Sequence, residues 1–485
     1  MKNRKSSNTS SGQQGWLFCV CIGFLLFCIP SPLWALRATQ LAAGESQEHV
    51  KWIGDYDKMV EDRVVRVLIP YSKTFYFLDG ATEKGLSYET AKAFEKFINK
   101  RHKTKHLKIM VMIIPTERNE LFSNLLEGYG DIAMGNLTIT EKRLEQVAFS
   151  DPFFTDVDEI VVAAKNGPEL KSVFDLSGKE VYVRRSSSYY ESLLKLNEVL
   201  SSVGKEPVKI TLADEHLEDE DLLEMLAAGV VPLLIVDKHK ARFWEKILDG
   251  IRLYPDVAVN TGGKIGWAFR KESPELEKVI NEFVKKHKKG TLSGNMAFNK
   301  YLKSQRYITN PASQQERENF KRLVGYFKKY AQKYNFNYLM LTALAYQESH
   351  LNQNARSHVG AVGVMQILPS TAKDKNVNIP NIDEVEANIH AGTKYLRFMV
   401  DRYFADEKIS TLNRGLFAFA AYNAGPAKVT RMRKAAEKMG LNPNVWFKNV
   451  EVVAAKQIGR ETVQYVSNIY KYYVVYTILA EKGKL

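Results

Sequence analysis

Cysteine is nearly missing from this 485-residue chain. There are three, Cys19, Cys21 and Cys28, and none follows residue 28. If the first 35 residues are removed, the remainder carries no thiol, which excludes disulfides, thiol nucleophiles and cysteine-held metal. Long apolar runs are also wanting: the stretch from Trp16 to Ile29 has 14 residues, short of the roughly 20 a membrane helix needs. A surplus of acid is absent too, since the formal net charge is +14. Residues 303–485 hold 27 Lys and Arg against 14 Asp and Glu, whereas 36–302 hold 39 against 41. The positive charge therefore sits in the C-terminal third, where it suits a polyanion. In an exported protein that favours wall polymer or a membrane surface over nucleic acid, with lysines serving only solubility as the plain alternative.

What is present begins with an export pattern. Lys2, Arg4 and Lys5 precede the apolar run, and Pro30, Pro32 and the small Ala35 follow it. This reads as a secretory signal over 1–35, with an uncleaved anchor as the alternative. Cys28 is a poor lipoprotein acceptor because Phe27 stands where a small residue is needed. The expected location is a periplasm-like space, with peripheral contact to the outer membrane.

After a lead-in at 36–62, residues 63–302 alternate strand-like and helix-like runs. "VVRVLIP" (64–70), "LKIMVMIIP" (107–115), "YGDIAMG" (129–135), "VPLLIVD" (231–237) and "GKIGWAFRK" (263–271) read as strands. "YETAKAFEKFINKR" (88–101) is amphipathic at helical spacing. Such alternation predicts an α/β sheet. The segments "GNLTITEKRLEQVAFSDPFF" (135–154), "VYVRRSSSYYESL" (181–193) and "LLIVDKHKA" (233–241) together resemble the family-3 periplasmic solute-binding proteins. The resemblance implies two lobes crossed twice by the chain, expected near 163–168 and 256–264, with the helical 273–290 closing the first lobe. It also implies that Arg143 and Thr138 meet a ligand carboxylate, that Ser187 and Ser188 offer a helix N-terminus to an anion, and that Asp237 meets an amine. The implied ligand is amino-acid-like or a muropeptide. Arg185 and the acidic "DEHLEDEDLLE" (214–224) depart from the pattern.

A polar seam, 303–316, leads to residues 317–485, which are helical in pattern throughout and predict an all-α domain. Within it Glu348 stands on an apolar helix face. Leu341, Leu344 and Ala345 lie at i−7, i−4 and i−3, with Leu351 at i+3, on a helix expected from about Asn337 to Ser349. A carboxyl in apolar surroundings has its pKa raised from about 4.3 towards 6 and stays protonated as a general acid. Glycosidases usually pair such an acid with a second carboxylate. Asp374, Asp383, Glu384, Glu386, Asp401, Asp406 and Glu407 offer none of matching placement. Arg356 is the one nearby cation that would make Glu348 a mere ion-pair partner.

Four ordered motifs, "ESHLNQNARSHVGAVGVMQILPSTA" (348–372), "ANIHAGTKYL" (387–396), "AFAAYNAG" (418–425) and "ETVQYVSNI" (461–469), resemble the soluble lytic transglycosylases of lysozyme-like fold. Val364 stands where Leu is usual. The resemblance implies cleavage of peptidoglycan glycan strands between N-acetylmuramic acid and N-acetylglucosamine, by Glu348 alone, leaving a 1,6-anhydro end. No metal or cofactor is implied. Ser349 and Gln366 would hydrogen-bond the sugar, and Met365 would pack beside it. Tyr422 would reach the Glu348 carboxyl, with Asn423 shaping the same wall and Glu461 and Tyr465 completing the cleft floor. A lysozyme-type hydrolase on the same fold remains open at this point. So does a solute receptor whose helical half only docks it to the wall.

Overall fold

The run Val64–Ile69 (β1) is buried at every position, as a parallel strand covered on both faces should be. In the computed structural model, which describes residues 51–79, 82–301 and 314–483, it lies inside a mixed sheet. The strands after it are Phe77–Asp79 (β2), Thr82–Lys84 (β3), Met110–Pro115 (β4), Ile132–Thr138 (β5) and Ala148–Phe149 (β6). Phe154–Ala164 (β7), Glu180–Val183 (β8), Lys209–Leu212 (β9), Leu233–Asp237 (β10) and Ile251–Phe269 (β11) follow. Among the described residues the main sheet runs β4-β1-β5-β11-β7-β10-β8-β9, with β6 beside β11 and β2–β3 a separate hairpin. The signal expected at 1–35 lies outside the described residues, as does most of the lead-in and of the seam.

The two lobes of this half share β7 and β11, which run antiparallel from Phe154↔Ile265 to Ala164↔Ile251. At one end β11 pairs with β5, and at the other β7 pairs with β10. The first crossing therefore falls near Asp156, where φ is +56°, and not at 163–168 as the sequence suggested. Lys-Asn-Gly-Pro at 165–168 has the composition of a hinge, but the β-branched run before it carries the strand to the far end of the second lobe. There the chain merely turns, with Gly167 N–H donating to the Ala164 carbonyl at 2.7 Å. The second crossing, at 258–263 of β11, falls inside the expected range. Helix Pro274–His287 closes the first lobe as expected, burying Leu276, Ile280 and Phe283 against Val65, Val67 and Phe94.

Beyond the seam the described chain is helical, beginning with Gln314–Tyr334, whose first turn lies inside the stretch expected to be linker. The helix carrying Glu348 spans Tyr338–Ser349. Asn337 caps it by accepting from Leu339 N–H at 2.8 Å, and His350 ends it in the left-handed region at φ +53°. Leu351, itself at φ +59°, is thus past the helix and not on its face. Leu339 through Tyr346 are all buried, so this is a central helix, apolar all round, rather than an amphipathic one. It packs beneath the long terminal helix Arg460–Glu481 and against Gln314–Tyr334. The helices Val385–Tyr403, Thr411–Ala424, Pro426–Lys438 and Glu451–Ile458 complete the bundle. One apolar cluster continues from Leu222, Leu226 and Phe243 of the second lobe into Leu344, Phe417 and Tyr476 of this domain.

Candidate active site

Glu348 occupies the last turn of the central helix, where the apolar interior meets the surface. Burial pushes its carboxyl up to about 7, opposed only by a hydrogen bond that favours the charged form. That bond comes from Tyr465, whose hydroxyl donates to Oε1 from the terminal helix. Burial and the neighbouring carboxyl hold the Tyr465 phenol well above its ordinary value, so it remains a neutral donor. Arg356 does not pair with Glu348. It meets Asp383 at 2.9 Å and the carbonyls of Gln353 and Ala355.

Tyr422 does not reach Glu348 as expected. Its hydroxyl donates to the Met365 carbonyl at 2.6 Å, so the role assigned to it falls to Tyr465. Both phenols lie close enough for the Glu348 charge to raise them. Met365 is fully buried and packs on Gly392, where an added Cβ would come within 2.7 Å of its own Cβ. It is therefore part of the wall's interior and not a surface beside the sugar. Ser349 is buried as well, and its hydroxyl is engaged by the Val364 carbonyl at 2.8 Å. It ties the helix end to the loop instead of facing a ligand. Gln366, at φ +46°, donates to the carbonyls of Ala355 and Gly363. Asn423 accepts from Thr462 at 2.6 Å, joining its helix to the terminal one. Glu461 is exposed on the first turn of the terminal helix.

Sequence reasoning missed Asn388. It is fully buried, accepts from Met365 N–H at 2.8 Å, and donates to the Val362 and Ile382 carbonyls at 2.8 and 2.9 Å. One amide thus holds the loop that Tyr422 holds from the other side. Its signal was available: an Asn with Ala391 and Gly392 at i+3 and i+4 is a polar group on a buried helix face. Of the carboxylates named as second acids, Glu384 and Glu407 are exposed, Asp374 accepts from Asn376 and Asp383 pairs with Arg356. Glu386 pairs with Lys329, Asp401 with Arg397, and Asp406 approaches Arg433 at 3.8 Å.

In the α/β half the expected ligand residues do converge, yet their bonds are spent on the protein. Arg143 is buried and donates to the carbonyls of Thr138 and Ser186 and to Glu191. Ser187 caps the helix Ser188–Ser202, and the Ser188 hydroxyl donates to Thr138 at 3.1 Å. Asp237 is fully buried, accepts from Asn136 at 2.6 Å and lies 3.6 Å from the Lys240 ammonium. The space these groups enclose is about 30 Å³, room for little more than water.

The acidic departure explains why. Glu218, Asp219, Glu220, Asp221 and Glu224 are all buried. Glu218 takes Arg118 of the first lobe and Arg184 of the second, and Asp219 takes Lys240 at 2.7 Å. Glu220 accepts from Ser72, while Asp221 and Glu224 hold Lys73 at 2.9 and 2.7 Å. Asp221 also lies 3.5 Å from Lys471 on the terminal helix. Around the same junction Arg460 meets Glu83, the Tyr76 hydroxyl at 2.9 Å and the Ile113 carbonyl.

Residues 325–443 match the transglycosylase SLT domain, and residues 67–303 match the bacterial extracellular solute-binding proteins, family 3. The chain is 29% identical over 424 residues to the membrane-bound lytic murein transglycosylase F of Shewanella halifaxensis (strain HAW-EB4), covering 83% of each. It is 27% identical over 454 residues to the protein of that name from Desulfosudis oleivorans (strain DSM 6200 / JCM 39069 / Hxd3), covering 87% of this chain and 94% of the relative. Among solved structures, an ancestral arginine-binding protein bound to arginine aligns over 49% of this chain and 97% of its own, at 26% identity and a TM-score of 0.40.

Proposed function

The chain belongs to the membrane-bound lytic murein transglycosylase F family and is a lytic transglycosylase; from that premise we propose that Glu348 alone cuts peptidoglycan, first as acid and then as base. A carboxyl titrating at about 7 is protonated in a useful fraction of molecules at neutral pH. It gives its proton to the glycosidic oxygen between N-acetylmuramic acid and N-acetylglucosamine as the C1–O bond breaks. The carboxylate left behind takes the proton of the muramic acid's own C6 hydroxyl, whose oxygen bonds to C1. The acid is thereby restored, no water is consumed, and the new end is a 1,6-anhydro ring.

The observation that carries this reading is the solitary setting of Glu348. Tyr465 is its hydrogen-bond partner, Asp383, Glu386 and Asp401 pair with Arg356, Lys329 and Arg397, and Glu384 and Glu407 are exposed. A hydrolase of the paired-carboxylate kind needs its second group within about 5–9.5 Å. Tyr465 steadies the carboxylate when it forms. Tyr422, Asn388 and Ser349 act at one remove, by holding the loop 362–366 that borders the acid.

The proposed protein has a signal over 1–35, a solute-binding half over 63–302, a seam at 303–316 and a catalytic half over 317–485. It works in the periplasm against the outer membrane. Among the described residues no helix is long and apolar enough to cross a membrane. The solute-binding half takes a peptide or amino-acid-like ligand and governs the catalytic half. Mass spectrometry of peptidoglycan digested by wild type and by Glu348→Gln tests the chemistry. Wild-type ends lighter by one water, absent with the variant, are expected; hydrated reducing ends would overturn the reading.

A further inference from the structure

The opening helix of the catalytic half, Gln314–Tyr334, has two unlike sides. On one, Phe320, Leu323, Phe327, Tyr330 and Ala331 are buried, and the helix packs on Tyr338–Ser349 and Val385–Tyr403. On the other stand Lys321, Arg322, Lys328, Lys329 and Lys333, all exposed. At 3.6 residues per turn these five fall within one stripe about 140° wide. From Glu318 to Tyr334 the one acid is Glu318 itself. Lys329 pairs with Glu386 at 2.6 Å, whereas Lys321, Arg322, Lys328 and Lys333 have no ion-pair partner among the described residues.

Helix stability does not account for this row. Cations support a helix in its last turn, which covers Lys333 and leaves Lys321 and Arg322, in the middle, unexplained. Lys329 and Lys333, four residues apart, repel each other. At the centre of the stripe is Gly325, exposed, where an added Cβ would meet nothing within 4 Å. Glycine is the poorest helix former after proline, and no neighbour in the fold requires it here. What it does provide is bare backbone between Lys321, one turn before it, and Lys328, one turn after. A flat partner can approach closely there.

We propose that this face docks the catalytic half on an anionic phospholipid surface. A row along the outer line of a straight helix is convex, and from Lys321 to Lys333 it is about 18 Å long. Such a row touches many headgroup phosphates in one plane at once, whereas sites for small ligands are concave. The half-buried rings of Tyr338 and Tyr334 lie 5.2 and 5.5 Å from the Lys328 and Lys333 ammoniums, and tyrosine settles readily at headgroup level. The helix carrying Glu348 packs on the opposite, buried side, so docking here leaves it uncovered. This inference rests on the reading that the protein works against the outer membrane, and it gives that contact a place and a chemistry.

Co-sedimentation of the full chain with vesicles tests it, using phosphatidylethanolamine vesicles with and without about one quarter phosphatidylglycerol. Each cation near an anionic leaflet is worth about fivefold in partition. Wild type should therefore bind the anionic vesicles at least about tenfold better, and lose that margin towards about 1 M salt, where charges are screened within about 3 Å. Lys321→Gln with Lys328→Gln should cost at least about tenfold on anionic vesicles and nothing on neutral ones, with the melting temperature unchanged. Lys278→Gln with Lys285→Gln, the same change of charge on the exposed side of Pro274–His287, should stay within about twofold of wild type. Equal losses in the two double variants would reduce the effect to net charge and overturn the face. Equal binding of all three proteins to both kinds of vesicle overturns it too, while the membrane reading stands. No binding to either kind overturns both. If the Lys321→Gln pair loses binding to isolated peptidoglycan and not to vesicles, the face meets the wall and the lipid is overturned.

Discussion

The hydroxyl of Tyr465 donates a hydrogen bond to the carboxyl of Glu348 across 117 residues of sequence, joining the end of the central helix to the terminal one. The bond favours the charged carboxylate, while burial favours the neutral acid and is the larger effect. Tyr465→Phe removes the smaller, opposing influence, so the Glu348 pKa rises further above 7. If the bond is worth about 1.5 kcal/mol, the shift is about one unit. The alkaline limb of turnover against pH should move up by that amount in the variant; a downward move would contradict the geometry.

Glu348→Gln should abolish turnover and, at the same time, stabilise the protein at alkaline pH. The folded carboxyl holds its proton up to about 7, against an ordinary 4.5. As pH rises from 4.5 to 7 the unfolded chain gives up that proton first, so stability falls by roughly 3 kcal/mol and then levels off. An uncharged amide escapes the loss. Melting temperatures should therefore coincide near pH 4 and separate near pH 8, with the variant higher.

Asn388→Ala leaves the Met365 N–H without a partner, while the Val362 and Ile382 carbonyls keep the bonds they accept from Ile367 N–H and Gln353. One unsatisfied buried group costs about 1–3 kcal/mol, so a loss of about 2 kcal/mol in denaturant unfolding is expected. Because the loop also borders the acid, turnover should fall even where the variant is fully folded.

Arg460→Ala severs the contacts of the terminal helix with Glu83, Tyr76 and the Ile113 carbonyl. Amide exchange should quicken about tenfold in β2 and in the first turn of that helix, which corresponds to losing about 1.4 kcal/mol of local stability. Exchange in Tyr338–Ser349, buried beneath, should hold steady.

Much of this was legible in the sequence, and for particular reasons. Glu348 announced itself because a carboxyl among Leu341, Leu344 and Ala345 conflicts with burial unless it has a task. The strands of the α/β half showed as β-branched runs, and the terminal helix as a regular apolar spacing. Pairings across long sequence distance were not legible. Nothing local distinguishes Tyr465 from Tyr422 as the partner of Glu348, since both are aromatic positions on buried helix faces. The first lobe crossing was misread because Gly167 and Pro168 look like a hinge wherever they fall. The acids at 214–224 stood out in the sequence only as a departure from the family pattern, since buried ion networks and exposed charge runs have the same composition. Only the fold brings Arg118, Arg184, Lys240 and Lys73 to them.

The terminal helix has one further property, which is mechanical. Tyr465 projects from it toward Glu348, while Arg460 and Lys471 are gripped by Glu83 and Asp221 of the solute-binding half. A helix is stiff over the roughly 16 Å between those two grips, so it behaves as a camshaft with bearings in one domain and a lobe in the other. Turned by about ten degrees, a side-chain tip some 5–6 Å from its axis travels about 1 Å. Hydrogen bonds fail over such a distance. A turn of that size against the neighbouring domain would thus break the bond that opposes burial at the Glu348 carboxyl.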